Sequence, residues 1–167
     1  RHFQLMHPVL DKLFFPRSIK EGRTDNKILI DIDGCHIAVR KYISNDSNQN
    51  VLLFHGNGET APDYDFVVPF YHRIGLNLIV SEFRGYGYST GVPTRLNIHT
   101  DAIEIFDRTL DLLDDIKGDR GLFVLGRSLG SVSAFEIADK RAESISGLII
   151  ESGFISELEI LKKLNID

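Results

Sequence analysis

Residues 121–130, GLFVLGRSLG, place the pattern Gly-x-Ser-x-Gly between a short apolar run and a segment of helix-forming composition. This arrangement is typical of a sharp strand-to-helix turn, the nucleophile elbow, which presents a serine hydroxyl at its tip. The serine is strained there, and small residues two positions away on either side let strand and helix approach closely. We therefore expect Gly126, Ser128 and Gly130 to form such a turn. The alternative is an ordinary loop whose serine caps the helix.

Apolar runs that suit buried strands alternate with helical patterns along most of the chain. The predicted strands are 51–54, 77–83, 122–125 and 147–151, and the predicted helices are 61–74, 97–117, the segment after Ser128 and a last one over 156–164. This alternation predicts an α/β fold with a mostly parallel sheet flanked by helices. Pro69 predicts that the helix over 61–74 is kinked or divided into two pieces.

The N-terminal part of the chain follows a different pattern. Asp33-Gly34 is a tight-turn signal between two alternating runs, 27–33 and 35–43, which predicts an antiparallel hairpin. Residues 1–20 mix aromatic and basic side chains with two prolines. We expect this segment either to pack on the body of the domain or to serve as an interfacial anchor.

Composition narrows the range of partners. A chain of 167 residues suits one domain, and its net charge of -5, without a basic cluster, argues against nucleic acid as a partner. Cys35 is the single cysteine, and Cys and His never cluster at zinc spacing, so we expect no metal. No apolar run approaches the roughly 20 residues of a membrane span, and no signal peptide is visible, so we expect a cytoplasmic protein.

The acidic side chains of the helix over 97–117 are expected to form a solvated face instead of a metal site. They are Asp101, Glu104, Asp107, Asp111, Asp114 and Asp115.

Loops at the carboxyl ends of the predicted parallel strands should meet in one crevice, where sheets of this kind bind ligands. These loops contain residues 56–59, 84–91, Ser128 and 152–154. A serine that attacks an acyl carbon needs a base, a group that orients the base, and donors for the developing oxyanion. We expect the backbone N–H groups of Leu129 and Asn57 to be these donors.

Four motifs carry a resemblance to a known superfamily: FHGNGE at 54–59, EFRGYGYSTG at 82–91, LGRSLGS at 125–131 and LIIESGF at 148–154. In order and spacing the chain resembles the α/β-hydrolase superfamily, and most of all its single-domain bud-emergence-type and depalmitoylase-like groups. The resemblance implies a serine hydrolase of esters, thioesters or amides that acts on a small acyl substrate without cofactor or metal. It also implies Ser128 as nucleophile and an oxyanion hole at Asn57 and Leu129.

The catalytic acid and histidine have no evident counterpart here. In the superfamily they follow the serine in the chain, whereas all six histidines of this sequence precede Ser128. We therefore expect residues 1–167 to be one incomplete α/β-hydrolase domain that lacks the last strands, and to be inactive by itself. A natural short form is the alternative. His55 is expected to support its loop, and Glu151 is either a triad acid or a carboxylate that binds loop N–H groups.

Two further expectations concern the surroundings of the crevice. Arg84 and Arg127 either attract an anionic substrate or pair with Glu59, Glu82 or Glu151. The strand over 147–151 should expose an apolar edge through which the chain can self-associate. The rival to the enzyme hypothesis is a non-catalytic module that keeps the crevice for binding or scaffolding.

Overall fold

The computed structural model describes residues 12–19, 26–44, 49–114 and 121–153. The predicted helix over 156–164 lies outside these residues. The strands are β1 (Lys27–Ile32), β2 (Cys35–Tyr42), β3 (Gln49–Phe54), β4 (Leu76–Ser81), β5 (Leu122–Arg127) and β6 (Gly147–Glu151). The α-helices are α1 (Val68–Arg73), α2 (Arg95–Asp114) and α3 (Gly130–Lys140), and two short 3₁₀ turns lie at Ala61–Tyr64 and Ala142–Ser144.

The six strands form one mixed sheet in the order β1-β2-β4-β3-β5-β6. The pairs β4–β3, β3–β5 and β5–β6 are parallel, whereas β2 pairs antiparallel with both β1 and β4. The predicted α/β class, with its mostly parallel sheet and N-terminal antiparallel hairpin, is therefore confirmed. At the tip of that hairpin Asp33 and Gly34 have φ of 49° and 74°, and paired positive values of this kind match the right-handed twist of the two strands.

Helices cover both faces of the sheet, because alternate residues of a strand point to opposite sides. Leu52 and Phe54 of β3 belong to the core beneath α2 and α3, whereas Val51 and Leu53 belong to the core beneath α1. After β3 the chain continues to α1 on one face of the sheet, whereas after the neighbouring strand β5 it continues to α3 on the opposite face. Sheets of this kind bind ligands where the chain diverges in this way, so the carboxyl ends of β3 and β5 are the expected position of a crevice.

The helical stretch after β3 is divided into two pieces, as Pro69 predicts. A 3₁₀ turn occupies Ala61–Tyr64, and α1 begins only at Val68, with the proline in its first turn. Proline fits there because the first N–H groups of a helix have no partner inside the helix.

The acidic face predicted for the second helix is wrong at Asp101. This residue is buried, and its carboxylate receives two hydrogen bonds of 2.7 Å from the guanidinium of Arg84. Helical periodicity could not reveal this contact, because Arg84 comes from the loop after β4.

Strand β6 lies at one edge of the sheet and is apolar on both faces. Leu148, Ile149 and Ile150 are 37%, 42% and 36% exposed. The expected exposed apolar edge is therefore present in the described residues. Among the helices that the structure describes, none combines the length and the apolar composition needed to cross a membrane.

Candidate active site

Ser128 occupies a strained turn at the carboxyl end of the sheet. β5 ends at Arg127 and α3 begins at Gly130, and between them Ser128 has a φ of 49°, which is rare for a residue other than glycine. Its N–H donates to the carbonyl of Glu151 at 2.8 Å, so the end of β6 holds the turn in place. The helix is capped by Leu129 without a side-chain hydrogen bond, which disfavours the capping-serine alternative.

The glycines of the pattern are required by close packing. A Cβ at Gly126 would lie 2.5 Å from the carbonyl oxygen of Gly130, and one at Gly130 would lie 1.9 Å from the carbonyl oxygen of Phe54. Both distances are far below van der Waals contact. The absence of side chains at these positions therefore lets α3 start directly against the end of β3.

The loop that follows β3 adjoins this turn, because β3 and β5 are neighbours with Phe54 in register with Gly126. Within the described part of the chain, neither the N–H of Asn57 nor that of Leu129 donates to a protein acceptor. Both groups are therefore available to a ligand. That they converge beside the Ser128 hydroxyl stays a prediction.

Glu59 braces the loop from one side. Its carboxylate accepts hydrogen bonds from the N–H of Gly56 and from the hydroxyl of Tyr64, each at 2.7 Å. Burial, together with the bond to Glu59, raises the pKa of Tyr64, so its hydroxyl keeps its proton and remains a donor.

Arg127 links the loop to the sheet edge. Its guanidinium lies 3.4 Å from Glu59 and 3.5 Å from Glu151, which confirms the expected pairing with loop carboxylates. Glu151 is thereby a partner of Arg127, with its side chain 56% exposed. The same expectation is wrong for Arg84, which pairs with Asp101 and Asp33; the hydrogen bonds that it donates to Asp101 raise the pKa of its guanidinium.

His55 supports the loop after β3 through contacts of both its ring nitrogens. Its Nε2 lies 2.8 Å from a carboxyl oxygen of Glu82, and its Nδ1 lies 2.8 Å from the carbonyl oxygen of Gly56. Since a carbonyl only accepts, Nδ1 is the donor to Gly56, and Nε2 contacts the Glu82 carboxyl. Both side chains are buried, and Glu82 also accepts the N–H of Ala61 at 2.8 Å. His55 is therefore a structural residue, as expected.

The other described histidines also bond to partners other than Ser128. His36 pairs with Asp31, His72 contacts the carbonyl oxygen of Tyr42, and His99 pairs with Glu136. His2 and His7 lie outside the described residues. Among the residues with described positions, no group of three or more His, Cys, Asp or Glu side chains is arranged to hold a metal ion.

Sequence reasoning missed the neighbourhood of the Asn57 side chain. Tyr86 is fully buried, and its hydroxyl donates a hydrogen bond to Asn57 Oδ1 at 2.6 Å. Residues 12–19, which we call the N-terminal strap, also bond to Asn57, through the N–H of Phe15 and the carbonyl of Leu13. No local pattern signals these contacts, because their partners are more than 25 residues apart in the chain.

Comparison with known proteins agrees with this geometry. Residues 45–164 match the profile of the family described as serine aminopeptidase, S33. The chain is 28% identical over 137 residues to the protein bem46 of Schizosaccharomyces pombe, covering 81% of this chain and 44% of that one. It is 29% identical over 123 residues to the lysophosphatidylserine lipase ABHD12 of Rattus norvegicus, covering 70% and 30%. The chain thus spans less than half the length of these relatives.

Solved structures show the same fold at low sequence identity. A monoglyceride lipase from Saccharomyces cerevisiae superposes with a TM-score of 0.65 at 20% identity, covering 83% of this chain and 48% of that one. A thioesterase domain from the curacin biosynthetic pathway gives a TM-score of 0.61 at 22% identity, covering 83% and 50%. With its elbow, its sheet and a profile match over most of its length, the chain belongs to the serine aminopeptidase S33 family of α/β hydrolases.

Proposed function

We propose that this chain supplies the nucleophile and the oxyanion donors of a serine hydrolase that cleaves esters, thioesters or amides. The observation that carries the proposal is the strained Ser128 turn, held at the carboxyl ends of the neighbouring strands β3 and β5. Backbone strain of this kind persists where the surrounding structure over-determines it, and it clusters at active sites. Here Gly126, Gly130 and the Glu151 carbonyl provide that surrounding structure.

The reaction proceeds through an acyl-enzyme. Ser128 Oγ attacks the carbonyl carbon of the substrate and gives its proton to a general base, while the N–H groups of Asn57 and Leu129 bind the oxyanion. The tetrahedral intermediate collapses with loss of the protonated leaving group. Water then attacks the acyl-enzyme, and its proton returns through the base to Ser128 Oγ as the acid is released.

The base and the acid of this scheme would come from outside the described residues. The four described histidines are engaged elsewhere, and Glu151 is paired with Arg127. A histidine from another part of the protein or from a partner must therefore reach the turn for Ser128 to become an efficient nucleophile.

An acyl ester or thioester is the favoured substrate class. The similar proteins include a lysophosphatidylserine lipase, a monoglyceride lipase and a thioesterase domain. These share hydrolysis of an acyl group joined to oxygen or sulfur. The net charge of -5 makes a nucleic-acid substrate a poor electrostatic fit.

A second candidate is a non-catalytic binding or scaffolding module. The observation in its favour is that no described histidine is available to Ser128. Such a module would keep the crevice and its free N–H groups and would bind an acyl carbonyl or a carboxylate without turnover.

A fluorophosphonate probe separates the two candidates, because it reacts covalently with activated serines. We expect the product of the complete reading frame to take up the probe at Ser128, identified by peptide mass spectrometry. The Ser128→Ala variant should not react, and Ser144→Ala, which changes an exposed serine in the 3₁₀ turn after α3, should keep the labelling. Absence of labelling in the unaltered product would favour the binding module.

A further inference from the structure

We propose that the side chain of Asn57 is a positioning group, and that Tyr86 and the N-terminal strap hold it so that the N–H of Asn57 faces the oxyanion. The inference rests on the proposed function, because it concerns the same site. It goes beyond that function by making residues 12–19, which precede the family-matched region 45–164, a working part of the active site.

The strap is docked on the loop after β4. Ser18 forms a parallel bridge with Gly87, the N–H of Ile19 donates to the Gly87 carbonyl at 2.8 Å, and the Gly87 N–H donates to the Arg17 carbonyl at 2.9 Å. These main-chain bonds place the strap as a short additional strand against that loop.

Arg17 anchors the same segment to the loop after β3. Its guanidinium lies 2.6 Å and 2.7 Å from the two carboxylate oxygens of Asp63, 3.0 Å from Thr60 Oγ1 and 3.4 Å from the Gly58 carbonyl oxygen. Burial opposes ionisation of Asp63, but the bonds from Arg17 and Thr60 outweigh it and lower the pKa of that carboxyl, so the pair is charged at neutral pH. The strap therefore bridges the two loops that border the crevice.

The Asn57 amide lies between these anchors and is bonded at three points. Oδ1 accepts the Phe15 N–H at 2.9 Å and the Tyr86 hydroxyl at 2.6 Å, and Nδ2 donates to the Leu13 carbonyl at 2.7 Å. Both acceptor sites of the amide oxygen are thereby used. Because two donors face Oδ1 and a carbonyl faces Nδ2, these partners also fix which of the two flipped orientations the Asn57 amide adopts.

Tyr86 is the rigid member of this set. Its side chain is 0% exposed and contacts the rings of His55 and Phe83, with centroids 5.3 Å and 5.7 Å away. Burial raises the pKa of Tyr86 to about 12, so the hydroxyl stays protonated and donates. The hydrogen bond therefore ties Asn57 to the core of the domain.

The loop needs such a restraint because of its composition. Asn57 stands between Gly56 and Gly58, and Gly58 has a φ of 77°. Glycine permits many backbone conformations, so the chain itself does not fix the direction of the Asn57 N–H. Glu59 holds the Gly56 N–H on one side, and the strap and Tyr86 hold the side chain of Asn57 itself. Together they restrain the direction of the Asn57 N–H, which has no protein acceptor among the described residues.

The alternative role is purely structural, in which these bonds only fasten the N-terminal segment. The two roles differ in which kinetic constant responds. An oxyanion donor acts on the transition state, so its displacement lowers kcat and leaves KM nearly unchanged. A fastening role changes thermal stability and leaves kcat unchanged.

The test compares variants of the complete reading-frame product with a p-nitrophenyl acyl ester as substrate. We expect Tyr86→Phe, which removes only the hydroxyl, to lower kcat about 10- to 100-fold with KM within about threefold, since displacing one oxyanion donor has effects of this order. Arg17→Met, which removes the side-chain bonds between the strap and the loop after β3 and leaves the Asn57 amide itself unchanged, should also lower kcat. Hydrogen exchange of the peptide over 55–61 should become faster in both variants.

Two matched controls accompany these variants. Tyr42→Phe removes a half-buried hydroxyl that bonds to Asp65 and the Ala61 carbonyl, and Arg141→Met breaks the bidentate pair with Asp107 at the far end of α3. Both control variants should keep kcat within about threefold of the unaltered product, because neither change displaces an oxyanion donor. An active product whose kcat is unchanged by both Tyr86→Phe and Arg17→Met would overturn this inference alone. A product that neither turns over the ester nor labels at Ser128 would overturn the proposed function and this inference with it.

Discussion

At the elbow, the packing around single residues leaves little space for larger side chains. Ser128 is held at a φ of 49° by the Glu151 carbonyl, and Gly126 and Gly130 leave no room for a methyl group. A positive φ costs a residue other than glycine roughly 1–2 kcal/mol, so the surrounding packing must offset that cost. The two glycines of the motif are thus required by packing, independently of any chemical role of the serine.

The prediction that follows from this packing concerns Gly130. A methyl group there would meet backbone atoms of Phe54 that cannot turn aside, so we expect Gly130→Ala to lower the free energy of unfolding by about 3 kcal/mol or more. Gly75→Ala is the control: Gly75 has a φ of 80° but open space around its Cα, so its cost should stay near 1 kcal/mol. Urea unfolding followed by circular dichroism measures both, and equal losses would contradict the packing argument.

A second prediction at this scale concerns the buried pair of His55 and Glu82. Glu82→Ala leaves the His55 ring and the Ala61 N–H without their buried acceptor, so we expect it to cost about 3–5 kcal/mol. Glu104→Ala, which breaks an exposed pair with Arg108 on α2, should cost about 0.5 kcal/mol or less. The same denaturation measurement applies. A Glu82→Ala variant as stable as Glu104→Ala would show that the pair does not hold the loop.

Among the elements, β6 differs most from its neighbours. It pairs on one side only within the described sheet, and its three apolar residues Leu148, Ile149 and Ile150 are exposed. A strand that is apolar on both faces is typical of a position inside a parallel sheet. At an edge it offers unpaired N–H and C=O groups and apolar side chains together, which favours association.

We therefore predict that the 167-residue chain self-associates through β6. Size-exclusion chromatography with light scattering should show species larger than a monomer at about 10–100 micromolar, within the range in which exposed apolar surface and unpaired strand edges associate. Ile149→Lys should shift the chain towards monomer, because a charge on an edge strand opposes pairing. Ile74→Lys, which changes an isoleucine that is 70% exposed at the end of α1, should not. A clean monomer before substitution would contradict the prediction.

At the scale of the whole molecule, the described part places the proposed nucleophile, Ser128, in a strained turn next to a braced loop. Its described histidines bond to partners other than Ser128. An unactivated serine hydroxyl is a poor nucleophile at neutral pH. Loss of the histidine alone lowers kcat by on the order of 10^6 in a well-studied serine protease. The remaining oxyanion hole and binding leave roughly 10^3 to 10^4 over the reaction in water.

We accordingly predict negligible esterase activity for the 167-residue chain assayed by itself. The measurement is release of p-nitrophenol from an acyl ester, with Ser128→Ala as the control for background hydrolysis. The two proteins should give the same rate within error. Turnover at ordinary enzyme rates that disappears in Ser128→Ala would contradict the prediction, and would direct attention to His55, His72 and His99 as candidate bases.

Local sequence patterns were sufficient for the order of the elements and for the position of the elbow. The Asp33-Gly34 turn, the division of the helix at Pro69 and the Gly-x-Ser-x-Gly turn each depend on the conformational preferences of a few consecutive residues. Such preferences are readable without knowledge of the rest of the chain. For the same reason the apolar run of β6 could be identified from its composition alone.

The partners of the charged and polar side chains around the crevice were decided by tertiary structure. Asp101 was expected on a solvated face and is buried against Arg84, and Asn57 is held by Tyr86 and by a strap more than 40 residues upstream. A hydrogen bond between distant segments depends on how the sheet places its loops, which periodicity along one helix or strand does not encode. Sequence therefore located the strained turn at Ser128, and only the assembled sheet showed what surrounds and positions it.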